Sequence, residues 1–189
     1  MTEMLARRGL LRLGAGAVLS AAAMPGVSLA QTLAPQAGPA IRRVALHNLH
    51  TGDKFNDVYF ERGQYVPDAL HAVRRVLRDW RNGEQHEMDE RLFDTLNEIS
   101  TRLDTRQPFQ IISGYRSPKT NAMLHAKSSG VASNSQHTHG KAVDVRVPGV
   151  ELSNLRKAAW DVKAGGVGYY PVSNFVHVDV ARVRQWTGA

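Results

Sequence analysis

The sequence predicts a single α+β domain, a small antiparallel sheet flanked by helices. Three observations lead there. Stretches with a helical apolar period are mixed with short stretches of period two, without the steady strand-helix-strand rhythm of a parallel sheet. The turns between them are short and carry Gly, Pro, Asn or Asp. Removing an N-terminal segment of 30 residues from the 189 leaves about 159, the size of one domain with a sizeable core.

That N-terminal segment reads as an export signal. Arg7-Arg8 precede an uncharged apolar run from Leu13 to Ala23, and Ser28-Leu29-Ala30 supplies small residues for cleavage before Gln31. The paired arginines ahead of a modest apolar run resemble those of a twin-arginine signal, the alternative being an ordinary Sec signal that happens to carry them. The run is shorter than the roughly 20 residues of a membrane span. Residues 31–40, rich in Pro, Ala and Gln, form a leader, and the folded domain spans residues 41–189.

Within the domain, Ile41 to Leu49 and Val58 to Phe60 alternate apolar with polar residues across a His50-Thr-Gly-Asp-Lys54 turn, which predicts a hairpin. Pro67-Asp68 opens a helix with Leu70, Val73, Leu77 and Trp80 on one face, ending at Asn82-Gly83. A second helix follows Met88-Asp89, with Leu92, Leu96, Ile99 and Leu103 as its apolar face, and Pro108 breaks it. Phe109 to Ser113 is a short buried strand with Gly114 at its turn. Ser117-Pro118 opens a third helix, because proline at the first helical position forfeits no hydrogen bond. Residues 128–135 are a polar loop, Lys141 to Val147 a strand, and Leu152 to Val162 a fourth helix. Gly165 to Tyr170 and Asn174 to Val180 are the last two strands, separated by Pro171.

Composition narrows the chemistry. There are no cysteines, so a metal site must be built from His, Asp or Glu. The whole chain carries a net charge of +7, of which three arginines and Glu3 belong to the signal, so the mature chain stands near +5. The excess is scattered, with no basic block interleaved with aromatics, which argues against nucleic acid as a partner. A mildly basic exported protein suits an anionic partner such as the cell wall.

The chemistry sits in Ser135-Gln-His137-Thr-His139-Gly140-Lys-Ala142-Val-Asp144 and, downstream, Phe175-Val-His177-Val-Asp179. Two histidines and a carboxylate bind zinc through three protein bonds and leave the fourth tetrahedral position to water, the arrangement of a hydrolytic site. Gly140 permits a backbone bend between His137 and Asp144. Taken alone, a histidine seven residues before an aspartate reads more readily as a surface histidine near an unrelated acid.

The full pattern resembles the zinc D-alanyl-D-alanine carboxypeptidase and endopeptidase family, whose members cut peptidoglycan peptides. Ser113-Gly-Tyr-Arg116-Ser-Pro118 is similar to that family's upstream arginine segment. Tyr59-Phe-Glu-Arg-Gly-Gln-Tyr65, Leu77-Arg-Asp-Trp-Arg81 and Gly166-Val-Gly-Tyr-Tyr-Pro171 resemble one branch of it, the murein endopeptidase K group, and the likeness covers roughly residues 41–187.

The resemblance implies that His137, Asp144 and His177 ligate Zn2+, that Arg116 steadies the substrate or the oxyanion, and that the partner is a peptidoglycan stem peptide in the periplasm. Ser135 is expected either to orient Asp144 or the water, or to cap its loop. The general base is harder to place. Many relatives carry an acid three positions before the last histidine ligand, where this chain has Asn174, and others a histidine two before it, where Phe175 stands. Asp179 lies on the same strand face as His177 and is either the base or a hydrogen-bond partner of a ligand imidazole. His139 is a further candidate, against a solvated loop histidine. Tyr169 and Tyr170 belong either to a substrate groove or to the core. The expected activity is hydrolysis of peptide cross-links. The alternatives are trimming of terminal D-alanine and a non-catalytic wall-binding module. Serine chemistry is disfavoured, since no Ser-x-x-Lys accompanies a Ser-x-Asn and a Lys-Thr-Gly.

Overall fold

The computed structural model describes residues 41–128 and 130–188. The predicted signal and leader, residues 1–40, lie outside the described residues. The chain runs β1 (Arg42–Asn48), β2 (Lys54–Glu61), β3 (Gln64–Tyr65), α1 (Pro67–Val76), α2 (Glu90–Arg102), β4 (Phe109–Ser113), α3 (Pro118–Lys127), β5 (Ala142–Arg146), α4 (Leu152–Val162), β6 (Gly166–Tyr170), β7 (Phe175–Asp179) and β8 (Arg184–Thr187). A single 3-10 turn, Gln136–His139, precedes β5.

The α+β class holds, but the sheet is neither small nor wholly antiparallel. Among the described residues it has eight strands in the order β3-β2-β1-β4-β5-β7-β6-β8. β4 lies parallel to β1, with Leu46 opposite Phe109, and β8 lies parallel to β6, with Gly168 opposite Trp186. The first parallel pair follows from the connection between β1 and β4, which holds α1 and α2 and is long enough for a crossover. β8 had no sequence signal: Arg184-Gln-Trp-Thr187 is a polar strand of four residues with only intermediate or exposed positions.

Alternation along the strands divides the sheet into two faces. Val143 and Val145 of β5 and Val176 and Val178 of β7 turn into the core. There they meet α2 through Leu92, Phe93, Leu96 and Ile99, and α4 through Leu155, Ala158 and Ala159. Asp144 of β5 and His177 and Asp179 of β7 therefore point to the opposite face. Asp89 caps α2 by accepting from the Arg91 amide, and Pro67 sits in the first turn of α1.

α1 stops at Val76 rather than reaching Trp80. The reason is tertiary. The Leu77 carbonyl accepts from the Tyr115 amide at 2.7 Å, and buried Asp79 accepts from the Ser117 amide and hydroxyl at 3.0 and 2.9 Å. The segment after Val76 is thus used to hold the turn that carries Arg116. A Cβ on Gly114 would overlap the Leu77 carbonyl, so only glycine allows this approach.

Candidate metal centre

The sheet register brings the site together. Asp144 pairs with His177 across β5 and β7, and His177 pairs with Gly168 across β7 and β6. On the other side, the pairing of β4 with β5 slips between Ile111 and Ser113, so that Ile111 faces Val145 and Ser113 faces Asp144. That irregularity moves Ser113 out of the apolar alternation of β4 and onto the polar face beside Asp144.

His137 reaches the same place from the 3-10 turn before β5. Ser135 begins that turn, its hydroxyl accepting from the His137 amide at 3.4 Å, and Gly140 ends it in the left-handed region at φ 65°. A Cβ at Gly140 would overlap the Glu87 carbonyl, while the Gly140 carbonyl accepts from the Asp89 amide at 2.9 Å. The bend predicted at this glycine is therefore both conformational and steric.

His137 Nε2, His177 Nδ1 and Asp144 Oδ1 converge. The two nitrogens are 3.2 Å apart, and the carboxylate oxygen lies 3.2 Å from His137 and 2.9 Å from His177. Ligand atoms around a tetrahedral zinc, with bonds of about 2.0–2.1 Å, stand about 3.3 Å apart. The three residues are buried, and no other His, Cys, Asp or Glu group of three among the described residues is so placed.

The outer nitrogens set the tautomers. His137 Nδ1 lies 2.7 Å from the Gly114 carbonyl, which can only accept, so Nδ1 carries the proton and Nε2 presents a lone pair. His177 Nε2 lies 3.0 Å from Asp179 Oδ2, which leaves Nδ1 to face Asp144 and His137. A carboxylate or carbonyl behind each imidazole is the usual means of orienting a metal-binding histidine. The donor set and its spacing fit a divalent cation.

Electrostatics agree. Burial raises the cost of charge on Asp144, but the His137 and His177 rings outweigh it and hold its carboxyl well below the usual carboxylate range. Burial likewise opposes charge on His177, yet hydrogen bonds to Asp144 and Asp179 push its pKa up to about 9. His137, equally enclosed, goes the other way, since desolvation exceeds the attraction of Asp144. The Asp144 and Asp179 carboxylates on either side of His177 thus favour positive charge at that ring.

The remaining candidates divide sharply. Arg116 is buried beside the centre, its Nη2 3.8 Å from Asp144 Oδ2, with weaker bonds to Asn121 and Ser113 at 3.3 Å. Its Nε has no hydrogen-bond partner among the described residues. Burial lowers its pKa against the opposing pull of Asp144. Asp179 is 0 % exposed and does not line the cleft. Beyond His177 it accepts from the Gly166 and Ala181 amides at 2.9 Å and from Arg184 at 2.7 and 3.1 Å, so both oxygens are engaged. Ser135 lines the cleft, and its hydroxyl bonds the His137 amide rather than Asp144. His139 is exposed and turned away, 2.8 Å from Asn134 Oδ1. Asn174 sits on the exposed turn between β6 and β7 at φ 55°, a conformation that asparagine tolerates well.

The centre lies in a cleft of about 700 Å³, with Arg116, Tyr170, Phe175, Arg184 and Trp186 among its walls. Asp144 is the one carboxylate among the described residues that line it. Tyr170 thus belongs to the groove, whereas Tyr169 packs against the core. Arg184 and Trp186 were missed with β8. The one trace of them in the sequence is the spacing of Gly166 and Gly168, whose Cβ atoms would overlap Arg184 and the Trp186 ring.

Comparison with known proteins finds relatives over almost the whole chain. The chain is 44% identical over 180 residues to the peptidoglycan L,D-endopeptidase MepK of Escherichia coli K12, covering 95% of this chain and 96% of that one. It is 38% identical over 183 residues to the probable peptidoglycan L,D-endopeptidase MepK of Haemophilus influenzae, covering 96% of each. No solved structure matches. The model of the family Peptidase_M15_2, described as peptidoglycan L,D-endopeptidase MepK, matches residues 36–186, and the chain belongs to that family.

Proposed function

We infer that this chain is a peptidoglycan endopeptidase that hydrolyses peptide cross-links between stem peptides, and we propose that it does so with zinc held by His137, Asp144 and His177. The observation that carries the reading is the set of three mutually close ligand atoms at a cleft wall, two of them on imidazoles oriented from behind. When bound, such an ion supplies Lewis-acid activation of water and of the scissile carbonyl.

The protein's own groups have separable tasks. The Gly114 carbonyl and Asp179 keep the two imidazoles in the ligating tautomer. Asp179 is accordingly a positioning residue for His177, and its full set of partners argues against service as a general base. Arg116, desolvated and with an Nε that no described residue pairs, places fixed positive charge beside the centre, where negative charge develops on the amide oxygen. Ser135 sets the backbone of the turn that carries His137.

Export supports the same setting. Arg7-Arg8 and the short apolar run after them favour delivery to the periplasm through the twin-arginine route. No helix among the described residues is long and apolar enough to cross a membrane.

The test is digestion of purified dimeric muropeptides by the mature protein, with and without zinc, followed by mass spectrometry. The expected products are monomers, formed only with metal. Release of free alanine alone would make the protein a carboxypeptidase, and binding without cleavage would make it a wall-binding module.

A further inference from the structure

The wall of the cleft opposite β5 is an ordered aromatic layer. Along β6 the residues on the site face are Gly166, Gly168 and Tyr170, while Val167 enters the core. The missing side chain at Gly168 is filled by Trp186 of β8, whose ring a Cβ would overlap at 2.6 Å. The missing side chain at Gly188 is filled in the same way by the Tyr170 ring. Indole and phenol therefore lie side by side against the sheet. The indole packs 5.2 Å from the His177 ring, and the phenol stacks on Phe175 at 4.5 Å with 19° between planes.

The two rings are joined in one direction. Trp186 Nε1 is 2.9 Å from Tyr170 Oη. An indole nitrogen only donates, so the phenol oxygen accepts, and its own proton is left for another acceptor. Among the described residues Tyr170 Oη has no second partner. Tyr170 lines the same cleft as Arg116 and the three ligand residues. A hydroxyl that already accepts, sits on a rigid stack and faces the cleft is a prepared donor. It stands where the lining offers no free carboxylate.

We propose that Tyr170 donates a hydrogen bond to the reacting carbonyl oxygen of the bound peptide, beside Arg116, and that Trp186 is the positioning residue that aims it. This rests on the reading of the cleft as the peptide-hydrolysing site. Charge grows on that oxygen as the amide is attacked, so the bond strengthens toward the transition state and its loss falls on kcat rather than KM.

The experiment compares wild type, Tyr170→Phe, Trp186→Phe and the double variant, each loaded with zinc, on dimeric muropeptides, with bound metal and Tm measured alongside. Tyr170→Phe keeps the ring stack and removes one oxygen. It should lower kcat about 100-fold, with KM within a few-fold and metal content unchanged. Trp186→Phe keeps an aromatic ring but loses the N–H, and should cost less. The double variant should be no worse than Tyr170→Phe alone, because an aiming group has nothing left to aim. Unchanged kcat in Tyr170→Phe, or a rise in KM alone, overturns the donor role. Additive losses in the double variant overturn the aiming role. Wild type that leaves the muropeptides intact defeats the peptidase reading itself, an outcome separate from these.

Discussion

His177 and Asp179 stand two residues apart on one strand, with Nε2 and Oδ2 3.0 Å apart on the side of the imidazole away from Asp144. The carboxylate reaches the ring along the strand rather than across it, because residues of equal parity share a face. Asp179 is itself fixed by two backbone amides and by Arg184, so the imidazole cannot turn without breaking a buried array.

Replacing Asp179 by Asn keeps the shape and removes the charge that holds the proton on Nε2. Metal affinity should fall about 10–100-fold, with a matching loss of activity at limiting zinc. Competition with a chromophoric chelator measures it. Unaltered affinity in Asp179→Asn would remove the positioning role assigned to this residue.

The three ligands should be individually indispensable. His137→Ala, Asp144→Ala and His177→Ala are each expected to abolish muropeptide cleavage and to lower the metal content of the purified protein, and a strong chelator should silence wild type until zinc is restored. Full activity in His177→Ala would refute the ligand set.

Metal binding should depend on pH with a definite sign. In the metal-free protein the His177 pKa is raised to about 9, so at neutral pH its ring holds a proton that a cation must displace. Affinity should therefore climb about tenfold per pH unit up to that value, with near one proton released per ion at pH 7. The metal-free fold should respond oppositely. The stabilisation from charged His177 is complete below its unfolded pKa near 6.5 and is lost as pH rises through about 9. Calorimetry in buffers of different ionisation enthalpy counts the proton, and Tm against pH reads the stability. Proton-independent binding would contradict this assignment.

Gly140→Ala tests the turn that carries His137. The substitution forces a Cβ into the left-handed region and against the Glu87 carbonyl. A cost of roughly 2 kcal/mol or more is expected, which for a domain of this size lowers Tm by about 4–8 °C. Metal affinity should fall with it, because the only relief is movement of the turn. Thermal denaturation with and without zinc separates the two effects.

Much of this was legible in the chain. The Val143-Asp144-Val145 and Val176-His177-Val178 alternations already separate core from site, since a strand must bury one parity. The apolar period placed α2, Leu152 to Val162 was bounded as found, and the left-handed glycine between His137 and Asp144 announced a bend. These are local signals, carried by residues within a turn or two of each other. What they could not supply was pairing between distant segments. The parallel placement of β4 on β1, the slip that turns Ser113 toward Asp144, and β8 as a polar edge strand depend on which backbones meet. The partners of Asp179 follow from that placement, because Arg184 and the Gly166 amide reach it only once β6 lies beside β7 and β8 beside β6. Residue identity and the family resemblance singled out two imidazoles and a carboxylate as candidate ligands. The tertiary structure decided which acid stands behind His177 and which aromatic groups line the cleft, since long-range hydrogen bonds and ring contacts leave no periodic trace in the sequence.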